Sequence, residues 1–138
     1  MSPAPLGERP DGWTRIEFDD VPESINAFMR LHFGERKRLR EKWAWRLKLA
    51  LMRLGYDLSL EAPKMSVNFT IHRPRRLDRD NNWGACKVIV DAMRDINFIR
   101  NDSEVWLDEG VSQMIGPERT VIEFRETAPT PERSGESK

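Results

Sequence analysis

The sequence predicts one mixed α+β domain, an α/β arrangement in which two main helices flank a small mixed sheet of about four to five strands. Three observations carry that reading. Residues 14–18 and 65–71 alternate apolar and polar side chains, two longer stretches repeat apolar residues every three or four positions, and short strand-like segments follow residue 104.

Taken in order, TRIEF at Thr14 to Phe18 reads as a first strand, and the DDVPES that follows reads as a turn. From about Glu35 to Leu54, the residues Leu39, Trp43, Leu47, Ala50, Leu51 and Leu54 recur at helical spacing, with Arg38, Lys42, Arg46 and Arg53 as a basic stripe along the edge. Met65 to Ile71 places Met65, Val67, Phe69 and Ile71 on one side and Ser66, Asn68 and Thr70 on the other, the pattern of a strand with one buried face. HRPRRLDRDNN at 72–82 is too polar and too interrupted by proline to continue it and reads as a loop. A second helix is expected from Trp83 to Ile96, with Cys86, Ile89, Val90, Met93 and Ile96 facing the core and Lys87, Asp91 and Arg94 facing away. Val105–Leu107, Val111–Ile115 and Thr120–Phe124 complete the sheet, with turns at Gly110 and at Gly116-Pro117.

The chain has 138 residues, enough for one modest core, which the pattern assigns to residues 13–126. Residues 1–12 and 127–138, rich in Pro, Ser, Gly and Glu, are expected to be flexible tails. No apolar run approaches the roughly 18 residues of a membrane span, and the N-terminus carries no apolar secretory stretch, so the cytoplasm is the expected location. Cys86 is the only cysteine, which excludes an internal disulfide framework and multi-cysteine zinc sites and suggests a small core residue. Lys plus Arg and Asp plus Glu number 23 each, but they are segregated. Residues 30–55 carry nine basic residues against two acidic ones, and residues 102–138 carry nine acidic against four basic, a division compatible with one DNA-facing side.

Chemistry concentrates in RRLDRDNN. In an extended segment Asp78 and Asp80 point the same way about 7 Å apart, and a turn at Asn97–Asn101 is expected to return Asp102 beside them. Three carboxylates without a His or Cys cluster make an all-oxygen site that suits Mg²⁺, with Mn²⁺ as a substitute, and no organic cofactor. Such a cation polarises a phosphate, lowers the pKa of bound water and stabilises a leaving oxygen. Lys87, one turn into the second helix, supplies positive charge for the transition state, while Arg73, Arg75 and Arg76 hold flanking phosphates.

Each residue also has a plainer reading. Asp-x-Asp-Asn before a helix serves as an N-cap, Lys87 and Asp91 form an ordinary i, i+4 surface pair, and Asp102 is a turn residue. The basic stripe is then a solvated flank. His32 and His72 are packed or hydrogen-bonded, and the five tryptophans are core and edge residues, though Trp83 next to the carboxylates suits stacking on an unpaired base. A calcium EF-hand is excluded, because Trp83 stands where the loop needs Gly and Ile89 where it needs a bidentate Glu.

Jointly, PESIN at 22–26, HRPRRLDRDNN at 72–82, Lys87, Asp91-Ala92-Met93 and NDSE at 101–104 resemble the RusA-type Holliday junction resolvases over residues 22 to about 108. That family has a Pro-x-Ser-x-Asn-like element, an arginine-rich run into Asp-x-Asp-Asn, a lysine on the next helix, an Asp-Ala-Leu-like step and a further Asp. The resemblance implies that Asp78, Asp80 and Asp102 bind Mg²⁺, that Lys87 assists catalysis, and that Asn81 supports the site. It also implies that Arg75 and Arg76 contact DNA, and the reading of the residues themselves adds Arg73, Asn81 and, on the stripe, Arg38, Lys42 and Arg46 to the expected DNA-facing set. It further implies a homodimer, bacterial or phage-borne, that nicks two strands of a four-way junction symmetrically in recombination and repair. Two departures stand out: six residues separate Asp80 from Lys87, and Asn101 occupies a position where a second Asp is frequent. The alternative is a noncatalytic protein that binds branched DNA on the same fold. A more distant one is an oligomeric structural protein whose acidic loops bind ions.

Overall fold

Alternation of apolar side chains and the need to cover one sheet face explain the architecture. The computed structural model of the chain describes residues 12–127 and the backbone of residues 7 and 8. The rest of the two expected tails lies outside the described residues. In chain order the elements are β1 (Gly7–Glu8), β2 (Thr14–Phe18), α1 (Ile25–Met29), α2 (Phe33–Arg53), β3 (Met65–Arg73), α3 (Arg79–Asp95), β4 (Leu107–Ile115) and β5 (Arg119–Glu126). The five strands form one mixed sheet in the order β1-β2-β5-β3-β4. β3 and β4 are parallel and are joined through α3, whereas β5 runs antiparallel to both β2 and β3.

The register aligns Ile16, Ile122, Phe69 and Val111 across one face of the sheet. On that face α2 contributes Trp43, Leu47 and Leu51, and α3 contributes Ala85, Cys86, Ile89, Val90 and Met93, all buried. Each fully buried Leu or Ile contributes about 1.5–3 kcal/mol, so this single layer of two helices on a sheet holds the core. Burial pushes the Cys86 thiol up to about 12, which keeps it protonated and inert. The opposite face is polar and open, with Arg15 and Arg119 both pairing with Glu17. Among the described residues no helix is long and apolar enough to cross a membrane.

Four elements differ from expectation, the first being β3, which runs on through His72 and Arg73 into the stretch read as a loop because both residues pair with β4. α3 begins at Arg79 and not at Trp83, because Asp78 caps it: its carboxylate accepts the backbone N–H of Asn81 at 2.8 Å. Residues 107–115 form one nine-residue strand, so Gly110 sits inside a strand and not at a turn. A Cβ there would lie 2.7 Å from Asn68 Oδ1 on the neighbouring strand, a close approach that glycine relieves. Within the expected turn after β2, Ser24 accepts the Ala27 N–H and starts the short helix α1.

Candidate active site

The segment from Arg73 to Trp83 is anchored by side chains that pull it against its neighbours. Arg73 is buried and donates to the Pro22 carbonyl at 3.1 Å and, more weakly, to Asn82 Oδ1 at 3.5 Å. Gln113 on β4 clamps Leu77 twice, accepting its N–H at 3.0 Å and donating to its carbonyl at 2.9 Å. Asn81 Oδ1 accepts the Asn26 N–H at 3.2 Å. Gly84 lets α1 close onto α3, since a Cβ there would meet Ile25 Cβ at 2.7 Å. Pro22, Ile25 and Asn26 of PESIN therefore dock against the HRPRRLDRDNN segment and the first turns of α3, and two sequence elements 50 residues apart become one structural unit.

Asp78 and Asp80 are both exposed, but they do not project together from an extended segment as the spacing suggested. Asp78 is the cap, and Asp80 lies in the first helical turn, where consecutive residues diverge by about 100°. The acidic side chains do suit the helix N-terminus, whose free N–H groups carry partial positive charge. Asp80 has no ion pair or side-chain hydrogen bond among the described residues.

Lys87, seven residues on, lies on the same face of α3, about 10 Å along its axis. Its ammonium donates to Asp102 Oδ2 at 3.0 Å, both side chains being 40% exposed. That pairing stands in place of the Lys87–Asp91 pair of the plainer reading, and Asp91 instead faces Arg94 at 3.8 Å. The turn that returns Asp102 is built at Asn97, which takes φ +66° and donates from Nδ2 to the Leu58 and Leu60 carbonyls, each at 2.9 Å. Asn101 then accepts the Ser103 N–H at 2.8 Å. The hydrogen bond and charge of Lys87 hold the Asp102 carboxyl below the usual carboxylate range.

The turn thus sets Asp102 beside Lys87, two helical turns along α3 from Asp80, and not beside Asp78 and Asp80 as expected. Among the described residues, no three His, Cys, Asp or Glu side chains stand close enough to hold one ion. Glu109 is a carboxylate that the sequence reading missed. It is half-buried on the helix-facing side of β4; burial pushes its carboxyl up, and Lys87 opposes that shift while Asp102 adds to it. Its signal lies in the alternation Leu107, Glu109, Val111, Gln113, Ile115, which puts two polar residues in the buried phase of a strand. Assigning Gly110 to a turn hid that phase.

The arginines divide sharply. Arg75, Arg76 and Arg79 are exposed and have no ion pair among the described residues. Arg73, expected among the DNA contacts, is committed to the fold through Pro22, and the Asn81 side-chain Oδ1 likewise accepts the Asn26 N–H. On α2, Arg46 donates to Asp20 at 2.6 Å and rests on the rings of Phe18 and Trp43, which withdraws it from the expected DNA-facing stripe. Lys42 shares Asp20 at 3.5 Å, so its charge too is partly met within the chain, whereas Arg38 is exposed and without an ion pair among the described residues. No protein-family model matches the chain, and no curated protein is significantly similar to it.

Proposed function

We propose that this chain is a Mg²⁺-dependent endodeoxyribonuclease of the RusA type, a cytoplasmic homodimer that resolves four-way DNA junctions by paired symmetric nicks in recombination and repair. The observation that best supports the reading is the docking of PESIN onto the Asp78-Arg79-Asp80-Asn81 turn, through the Asn26 N–H to Asn81 Oδ1 bond at 3.2 Å. Elements matched separately by the resemblance meet around exposed carboxylates.

Asp78, Asp80 and Asp102 would hold the cation once Asp102 leaves Lys87 and closes on the first turn of α3, since the three carboxylates do not surround one point as the chain is folded. Their donors are all oxygen, as Mg²⁺ prefers, and Asp102 already faces a cation, the Lys87 ammonium. An exposed pair of this kind is worth about 1 kcal/mol or less, so a divalent ion can displace Lys87 at little cost. Bound there, the ion would supply hydroxide at neutral pH and neutralise charge as the phosphodiester breaks to a 5′-phosphate and a 3′-hydroxyl. Arg75 and Arg76 orient the flanking phosphates, and Gln113 keeps their loop fixed through Leu77. Lys87, released from Asp102, faces the charge that builds on the scissile phosphate and the leaving oxygen.

The test is incubation of the purified protein with a labelled four-way junction, duplex, flap and single strand, with Mg²⁺ or EDTA. Paired nicks on the junction, absent with EDTA, are the expected result. Binding without scission in any arm supports the second reading, a noncatalytic branched-DNA-binding protein, which is favoured by the occupation of Asp102 by Lys87.

A further inference from the structure

A cavity of about 240 Å³ opens next to the acidic turn, between the first turns of α3 and the edge of the sheet, lined by Arg76, Arg79, Asn82, Trp83, Ser112 and Gln113 among others. Arg79, Asn82 and Trp83 share one side of α3, because positions i, i+3 and i+4 of a helix are neighbours. The Trp83 indole is 41% exposed and lines this cavity, so ring surface is open to a ligand there. Arg76 and Arg79 bring two guanidinium groups without a carboxylate partner among the described residues. Asn82 is buried, with Oδ1 turned to Arg73 at 3.5 Å, and its amide N–H groups have no partner among the described residues. β4 has a strand neighbour on one side only, so every second backbone N–H and C=O at 111–113 points out of the sheet at this wall.

From these features we infer that the cavity receives one unpaired nucleobase of the DNA, stacked on Trp83. The hydrogen-bonding edge of the base would face Asn82 and the open edge of β4, and Arg76 and Arg79 would take the phosphates on either side. The inference rests on the proposed DNA substrate and adds a base-capturing subsite to it. Size argues for a single base, since pockets that enclose larger ligands run from about 300 Å³ upward. Charge argues for a nucleotide and against an apolar ligand, because two guanidiniums beside one aromatic face match a π-surface flanked by phosphates. Arg79 lies between Asp78 and Asp80 in sequence, so a base captured here would set which phosphate reaches the carboxylates.

The test is a duplex carrying 2-aminopurine as a single unpaired bulge, titrated with protein in EDTA so that cleavage plays no part. Stacking on Trp83 predicts quenching of the 2-aminopurine on binding, loss of that quenching in Trp83→Ala with about 10-fold weaker binding, and recovery of both in Trp83→Phe. An abasic bulge should bind the wild type about as weakly as the 2-aminopurine bulge binds Trp83→Ala. Equal affinity for abasic and base-bearing bulges, or quenching indifferent to Trp83, would overturn the subsite while leaving the nuclease reading standing. Failure to bind these DNAs while a four-way junction is bound under the same conditions would overturn the subsite alone, and failure to bind the junction as well would overturn both. Free 2-aminopurine nucleoside monophosphate is the second arm. Trp83-dependent quenching by it at the concentrations at which the bulged DNA saturates would make this a mononucleotide site and overturn capture from DNA; none is expected without the flanking phosphates.

Discussion

Arg46 on α2 and Arg76 in the loop before α3 come from equally basic stretches of sequence, yet they reach different electrostatic ends. Arg46 is clasped by Asp20 at 2.6 Å and lies on Phe18 and Trp43, and its neighbour Arg40 grips Asp95 through two 2.6 Å bonds. Arg75, Arg76 and Arg79 are exposed and carry no ion pair among the described residues. A run of basic residues therefore does not define a DNA-binding face. What matters is which charges remain unneutralised after folding: Arg75, Arg76 and Arg79 all do, whereas on the stripe Arg38 and Arg53 do and Lys42 and Arg46 do not, among the described residues.

The largest expected effect breaks this comparison outright. Replacing Arg75, Arg76 and Arg79 together with Ala should weaken junction binding by on the order of 10–100-fold and reduce the salt slope of log affinity by about 3. Arg46→Ala should leave that slope unchanged and instead lower stability by about 1–2 kcal/mol, from the lost cation–π and ion-pair contacts. Anisotropy titrations across salt concentrations, with thermal melts alongside, check both; a reversed pattern would reinstate the stripe as the DNA-facing surface.

A second contrast is between two glycines. Gly84→Ala should cost about 1–3 kcal/mol by overpacking, because its Cβ would strike the Ile25 Cβ, which is fixed near the α1 backbone. Gly110→Ala should cost less, since the atom it meets, Asn68 Oδ1, ends an exposed side chain that can swing away. Urea unfolding measures both.

The smallest effect concerns Lys87→Met. With the ammonium gone, the Asp102 carboxyl should rise towards its ordinary value, readable by carbon NMR titration. A depressed folded pKa stabilises above the unfolded value of about 3.9 and loses that contribution as pH falls through the folded value. Lys87→Met should therefore be less stable at pH 7 by about 1 kcal/mol or less, and the gap should narrow on acidification.

How far the residues announce the fold depends on how local the cause is. Thr14–Phe18 and Met65–Ile71 were legible because alternation records a buried face directly, and the apolar stripes of α2 and α3 because their spacing does the same. The start of α3 and the continuity of β4 were not, since a cap and a turn use the same residue types: Asp78 reads equally as ligand or N-cap, and Gly110 as turn or tight strand contact. The candidate site was legible in its residues but not in its pairings. Nothing in local spacing says that Lys87 meets Asp102 and not Asp91, that Arg73 turns inward to Pro22, or that Glu109 faces the helices, because each depends on the path of a distant segment.

The central claim is that Asp80 and Asp102, on one side of α3, act together on a divalent ion that displaces Lys87. Mn²⁺ titration followed by electron paramagnetic resonance, on the wild type, Asp80→Asn and Asp102→Asn, addresses it without relying on cleavage. One Mn²⁺ bound by the wild type, weakened about 10-fold or more in each variant, is the predicted result. Equal Mn²⁺ affinity in all three proteins would contradict it.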